Sequence, residues 1–272
     1  MLRAITREVS PAIANCELEF LDRQPIDFAL AVEQHRQYQA CLAELGVQVE
    51  ILPSGPDMPD GVFVEDPAIV LDEIAVITRM GVQSRRGEGE TLARALAPYR
   101  ELHYIQEPGT LEGGDVMHVG KTLYVGYSRR TNVAGIQQLA GIVHPLGYFV
   151  VPVEVRGCLH LKSACCYIGD DTVLANRTWM DPDAFCGLKI LDVPEPRGAN
   201  ALRIGERVLM PLAYPRTCDL LDRSGFRVRT IDNSELLKAE AGVTCTSLIF
   251  EMASDPFLEP DQRPLELRER FR

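Results

Sequence analysis

Five times along the chain a polar residue opens a short apolar strand, and in four of the five a turn and a second strand follow. Val64-Glu65-Asp66-Pro67-Ala68-Ile69-Val70-Leu71-Asp72-Glu73 leads into Ile74-Ala75-Val76-Ile77-Thr78, and Glu112-Gly113-Gly114-Asp115-Val116-Met117-His118-Val119-Gly120-Lys121 into Thr122-Leu123-Tyr124-Val125-Gly126. His160 to Asp171 leads into Thr172-Val173-Leu174-Ala175, and Asn200 to Glu206 into Arg207-Val208-Leu209-Met210. The fifth, Thr244-Cys245-Thr246-Ser247-Leu248-Ile249-Phe250, has a first strand and no second. Apolar runs joined by Gly or Asp/Glu turns are the mark of a β-hairpin. The heads Asp66, Glu112, His160, Asn200 and Cys245 recur at intervals of 46, 48, 40 and 45 residues. Periods of this size fit propeller blades or similar repeating units.

Helical patterns lie between the hairpins, at Gly87–Tyr99 and Asn132–His144, each followed by a short strand, Leu102–Ile105 and Tyr148–Val153. Near the N-terminus, Phe28–Leu45 reads as a long helix and Val47–Leu52 as its strand. The incomplete fifth hairpin and the spare strand Arg3–Thr6 predict that the N-terminal strand completes the last blade and closes a ring. The expected architecture is an α/β ring of ββαβ units forming one domain over residues 1–272, its five polar heads converging on an axial pocket. The competing arrangement is a doubly wound sheet. It lacks its usual fingerprint, because Glu112-Gly113-Gly114-Asp115 opens a strand and not a helix.

A formal net charge of −11 argues against nucleic acid as a partner and suits a small cationic substrate. No apolar run approaches the roughly 18 residues of a membrane span, and the N-terminus lacks the apolar core of a signal peptide. Eight cysteines without regular spacing read as reduced thiols in a cytoplasmic protein. A homodimer is compatible with the sequence, which carries no signal for or against it.

Taken singly, each head has an ordinary explanation: a buried thiol, a satisfied histidine, a solvated carboxylate. On equivalent positions around one axis, however, a nucleophile, a base and two carboxylates form a catalytic constellation. Asp60, Glu65, Asp66 and Glu112 would bring negative charge to the same pocket as Cys245, which disfavours a thiolate until a cation binds. A planar guanidinium matches paired carboxylate oxygens and offers sulfur a carbon to attack. A zinc site built from Cys158, His160, Cys165 and Cys166 is the other use of these residues, but their spacing does not match the usual Cys-x₂₋₄-Cys pairing.

On these residues the sequence resembles the dimethylarginine dimethylaminohydrolases, within the guanidine-modifying deiminases and amidinotransferases. The motifs that carry the resemblance are Pro59-Asp60-Gly61-Val62-Phe63-Val64-Glu65-Asp66, Ser84-Arg85-Arg86, Leu111-Glu112-Gly113-Gly114-Asp115-Val116, Ser128-Arg129-Arg130-Thr131-Asn132, Leu159-His160-Leu161-Lys162-Ser163 and Val243-Thr244-Cys245. The resemblance implies a five-bladed α/β-propeller of the pentein type. It implies hydrolysis of methylated arginine to citrulline and an amine, without metal or organic cofactor. It gives Cys245 the role of nucleophile, His160 that of general acid and base, and Glu112 that of orienting the imidazole. Asp66 would hold the guanidinium, Asp60 the α-amino group, and Arg85 and Arg130 the α-carboxylate. Glu65 would lie in the binding segment, and Leu18 would offer a backbone contact.

The sequence departs from the family pattern at Arg79-Met80-Gly81-Val82-Gln83, where the family often has Arg-Pro-Gly-Ala-Pro. A looser loop in front of Arg85 is the expectation. The segment from Ser10 to Phe20, expected as a lid, shows no usable likeness. Arginine deiminase and amidinotransferase activities share the same three residue types, and a non-catalytic binding protein on the same scaffold is the alternative from another class.

Overall fold

A computed structural model describes residues 1–252. The last twenty residues of the expected 1–272 domain lie outside the described residues.

Each of four hairpins pairs antiparallel, and each is extended by a third strand running parallel to its second. The resulting sheets comprise Ala68–Val70, Ile74–Ile77 and Glu101–Tyr104; Val116–Val119, Thr122–Tyr127 and Phe149–Glu154; Cys165–Gly169, Thr172–Ala175 and Lys189–Asp192; and Leu202–Ile204, Arg207–Pro211 and Arg227–Ile231. A fifth sheet is assembled from both ends of the described chain. Leu2–Arg7 lies at its centre, antiparallel to Leu248–Glu251 and parallel to Gln48–Leu52. The N-terminal strand thus supplies the partner that the fifth hairpin lacks, as the sequence predicts.

A parallel neighbour requires a crossover, and helices supply it. They run over Phe28–Glu44, Glu88–Leu96, Val133–Val143 and Pro215–Arg223. Two begin at side-chain caps that satisfy a free amide: Asp27 accepts from the Leu30 N–H at 3.0 Å, and Asn132 from the Gly135 N–H at 2.8 Å. The first ends at Gly46, whose φ of +84° suits glycine at a helix C-terminus. The sheet containing Cys165–Gly169 departs from the pattern, since its crossover carries only a 3₁₀ turn at Pro182–Phe185.

The apolar faces pack sheet against sheet. Ile5 and Phe250 meet Ala75 and Ile77. Ile69 and Val76 meet Leu123 and Val125. Met117 and Tyr124 meet Cys165 and Val173. Ile168 and Leu174 meet Val208 and Met210. Leu209 and Ile231 meet Ala4 and Val47, which returns the series to its start. The middle strand of each sheet therefore has both faces largely buried against neighbours, while the third strands leave Ile51, Tyr104 and Phe149 exposed. Among the described residues, no helix is long and apolar enough to cross a membrane.

Candidate active site

The five heads do not belong to the strands they announce. Each sits in the turn before its strand, two to five residues upstream, and two are separated from it by a helical turn: Gly113–Asp115 after Glu112 and Leu161–Ala164 after His160. Those turns bring the Glu112 and His160 side chains together beside Asp66. Glu112 is wholly buried; His160 and Asp66 are nearly so.

The His160 ring bridges two carboxylates. Its Nε2 lies 2.7 Å from Glu112 Oε2, and its Nδ1 faces Asp66 Oδ1 at 3.8 Å. Burial opposes a charge on the ring, but Asp66 and the Glu112 hydrogen bond outweigh it and lift the imidazole to about 9. Burial likewise works against a charged Glu112, yet the hydrogen bond and charge of His160 hold that carboxyl down at about 2. The pair is therefore an imidazolium on a carboxylate at neutral pH. Glu112 is itself fixed, accepting the Gly81 N–H at Oε1 (2.9 Å), while its own N–H donates to Thr131 Oγ1. Gly114 makes the close approach possible: a Cβ there would lie 2.5 Å from His160 Nδ1 and 2.7 Å from Asp66 Oδ1.

The segment before Arg85 is anchored in its first half, while Gln83 and Ser84 are exposed. Met80 is buried, Gly81 anchors Glu112, and a Cβ on Gly81 would meet the Arg130 carbonyl at 2.7 Å. Arg85 is held by a two-pronged pair with Glu88 (3.0 and 2.9 Å) and reaches Asp66 Oδ2 at 2.9 Å. Arg130 reaches Glu19 Oε2 through Nε at 3.2 Å and has its Nη1 3.5 Å from Glu112. Asp60 accepts the Glu17 N–H through both oxygens. Leu18 sits between these two lid residues, half-buried against the apolar cluster around Val9 and Phe63.

Cys245 lies in the same cavity, which Glu17, Asp60, Asp66, Arg85 and Arg130 also line. Its volume of about 20 Å³ is room for a water or so. Burial, then Glu65 and Asp66, push the thiol well above its ordinary range; the Gly242 N–H, 3.2 Å from the sulfur, and Lys162 oppose them. Glu65 gives both oxygens to the protein, one to Lys162 Nζ at 2.5 Å and one to the Thr244 hydroxyl at 2.7 Å. It braces the residue before Cys245. Asn200 does the same from the other side. Its Nδ2 donates to the Lys162 carbonyl and Thr244 Oγ1, and its Oδ1 accepts the Thr244 N–H.

Three further carboxylates complete the site: Asp115 lies in the Glu112 motif, while Glu88 and Glu240 carry no sequence signal. Glu88 is one turn from Arg85, Asp115 accepts the Leu161 N–H and the Ser128 hydroxyl, and Glu240 gathers the N–H groups of Glu19, Phe20 and Leu21 on one carboxylate. Among the described residues, Asp66, Glu112 and His160 bring possible metal-ligating atoms together, with Arg85 and Arg130 already beside the two carboxylates. Cys158 and Cys166 instead donate their S–H groups to the carbonyls of His160 and Lys162.

The chain resembles known proteins over most of its length. Residues 19–183 match the family described as N,N dimethylarginine dimethylhydrolase, eukaryotic. The N(G),N(G)-dimethylarginine dimethylaminohydrolase of Streptomyces coelicolor is 39% identical over 249 residues, covering 90% of this chain and 96% of the relative. That of Pseudomonas aeruginosa is 38% identical over 228 residues, covering 82% and 90%. A solved structure of the Pseudomonas aeruginosa protein, a cysteine-to-serine mutant complexed with citrulline, superposes with a TM-score of 0.87 at 36% identity, covering 91% of this chain and 98% of that one. With matches this long at this identity, the chain belongs to the dimethylarginine dimethylaminohydrolase family.

Proposed function

We propose that the protein hydrolyses N-omega-methylated arginine to citrulline and methylamine or dimethylamine, with Cys245 as nucleophile. One observation carries the reading: Asp66 Oδ1 and Arg130 Nη1 are buried and have no hydrogen-bond partner. Leaving such atoms unmet costs about 1–3 kcal/mol each, more when charged. An acceptor 3.8 Å from His160 and a donor with only a 3.5 Å contact to Glu112 are what the guanidinium and α-carboxylate ends of an arginine would satisfy. The complex of a related enzyme with citrulline supports the same direction.

In this reading a bound guanidinium pairs with Asp66, cancels much of the negative field on Cys245 and stabilises the thiolate. Sulfur attacks the guanidinium carbon to give a tetrahedral adduct. His160, protonated at neutral pH, gives its proton to the substituted nitrogen as that carbon–nitrogen bond breaks and the amine leaves. An S-alkylthiouronium remains on Cys245. Water then attacks the same carbon while His160 takes its proton, the carbon–sulfur bond breaks, and citrulline departs with the thiolate restored. Glu112 keeps the imidazole charged and aimed, Asp60 receives the α-ammonium, Arg85 and Arg130 serve the α-carboxylate end, and the Leu18 peptide lies against the substrate backbone. Glu65 acts through Thr244. The cyclic order of sheet contacts supports a five-bladed propeller forming one domain, and eight free thiols support a reducing, cytoplasmic setting.

The test offers arginine, monomethylarginine, asymmetric dimethylarginine and agmatine to the purified protein and identifies the amine released alongside any citrulline. Dimethylamine from asymmetric dimethylarginine is the expected product. Ammonia from arginine as the dominant reaction would make the protein a deiminase instead.

A further inference from the structure

The lid already makes the contacts that the amino-acid end of the substrate would make. Glu19 places its carboxylate on Arg130 Nε at 3.2 Å and on Arg129 Nη1 at 3.1 Å. Two residues earlier, the Glu17 N–H rests on both oxygens of Asp60, at 3.2 and 3.1 Å. One is a carboxylate where an α-carboxylate would bind; the other is an N–H where an α-ammonium would bind. Glu240 holds this register, its carboxylate receiving the Glu19, Phe20 and Leu21 amides from a backbone at φ 59°. Successive amides converging on one anion form a compact, preorganised latch. Phe20 adds a cation–π contact with Arg129. The cavity beneath is small, and the amino-acid end of a ligand reaches Arg130 and Asp60 only by displacing these two lid contacts.

We infer that Glu19 is a specificity-determining residue, an internal competitor that a substrate must replace with its own carboxylate. This rests on the function proposed above. A guanidino amino acid brings a carboxylate for Arg130 and an ammonium for Asp60, so both lid contacts are exchanged for equivalent ones. Its carboxylate also repels Glu19, which drives the exchange. A guanidino amine such as agmatine has nothing to offer Arg130. It binds with Glu19 left in place, because displacing Glu19 would strip Arg130 Nε of its partner and leave the guanidinium only its longer contact with Glu112. The lid thereby converts the presence of one carboxylate into admission.

The competitor makes two ligands respond in opposite directions, which mere loosening of the lid would not do. In Glu19→Gln the KM for the methylated arginine should fall about tenfold, the size of one partly screened charge contact. The inhibition constant of agmatine as a competitor should stay the same or rise, because Arg130 loses its partner. Glu19→Ala should repeat the pattern. Parallel tightening of both ligands would reduce Glu19 to a stabiliser of the closed lid and overturn the inference. A rise in KM for the amino acid would make Glu19 one of the substrate's own contacts and overturn it as well. If the wild-type protein turned over no guanidino amino acid, the proposed function would fall first and this inference with it.

Discussion

Replacing Glu112 by Gln keeps the shape of the side chain and removes its charge from a position with no access to solvent. Its Oε1 still has an oxygen to offer the Gly81 N–H, so the loop in front of Arg85 is retained. His160 loses both the charge-assisted hydrogen bond and the attraction of the carboxylate, and the amide NH₂ now favours an unprotonated Nε2. Asp66 and Asp115 remain, so the imidazole should drop by about one to two pH units from its value of about 9 without returning to that of a buried neutral histidine. At pH 7.5 the imidazole then stays about a quarter to three-quarters protonated, so we expect kcat to fall only a few-fold, by roughly two- to fivefold, with the alkaline limb of the profile moved to lower pH. The same linkage appears in stability. A histidine whose folded value is raised stabilises the protein fully below its unfolded value near 6.5 and ceases to do so as pH rises through about 9. For the wild type that contribution is worth roughly 3 kcal/mol, and Glu112→Gln should retain only part of it. Two measurements check this: an NMR titration of the His160 ring, and urea midpoints between pH 6 and 10. An unchanged titration in the variant would refute the account of what charges His160.

Two more expectations follow from the packing. Iodoacetamide should modify the exposed Cys186 quickly and harmlessly, while loss of activity tracks slower labelling of Cys245, followed by mass spectrometry; inactivation in step with Cys186 alone would remove the proposed nucleophile. Gly114→Ala should cut kcat/KM by about 10²-fold or more by wedging His160 from Asp66, whereas Gly141→Ala, on a helix face with open space around it, should not; equal activity in the two variants would show that the crowding at the axis is unimportant.

The hairpins were legible because their signal is local. Period-two alternation and a turn residue suffice to place Ala68–Val70 against Ile74–Ile77, and the missing partner of Leu248–Glu251 could be inferred from the spare strand at the other end. The weak crossover at Pro182–Phe185 was not visible, since a 3₁₀ turn leaves no apolar period. Within the site, Glu112, His160 and Cys245 could be grouped because they recur at equivalent repeat positions. The partners of the Ser10–Phe20 segment could not be read. Glu240 meets residues about 220 positions away, and neither segment has periodicity. Arg85 shows a different kind of limit, as its motif suggests a ligand for a carboxylate and the folded protein already gives it Glu88 and Asp66.

The central place of Leu2–Arg7 in its sheet also bears on how the protein is made. Its parallel neighbour, Gln48–Leu52, follows within fifty residues, but its antiparallel neighbour emerges only after some 240 more have been synthesised. At ribosomal rates of about 5–20 residues per second, that is a wait of roughly 10 to 50 s. Throughout it, one edge of Leu2–Arg7 presents open N–H and C=O groups, the kind of edge that recruits a strand from another chain. A nascent chain at this stage is a candidate client for chaperones, and crowded synthesis would favour exchange of Leu248–Glu251 between copies.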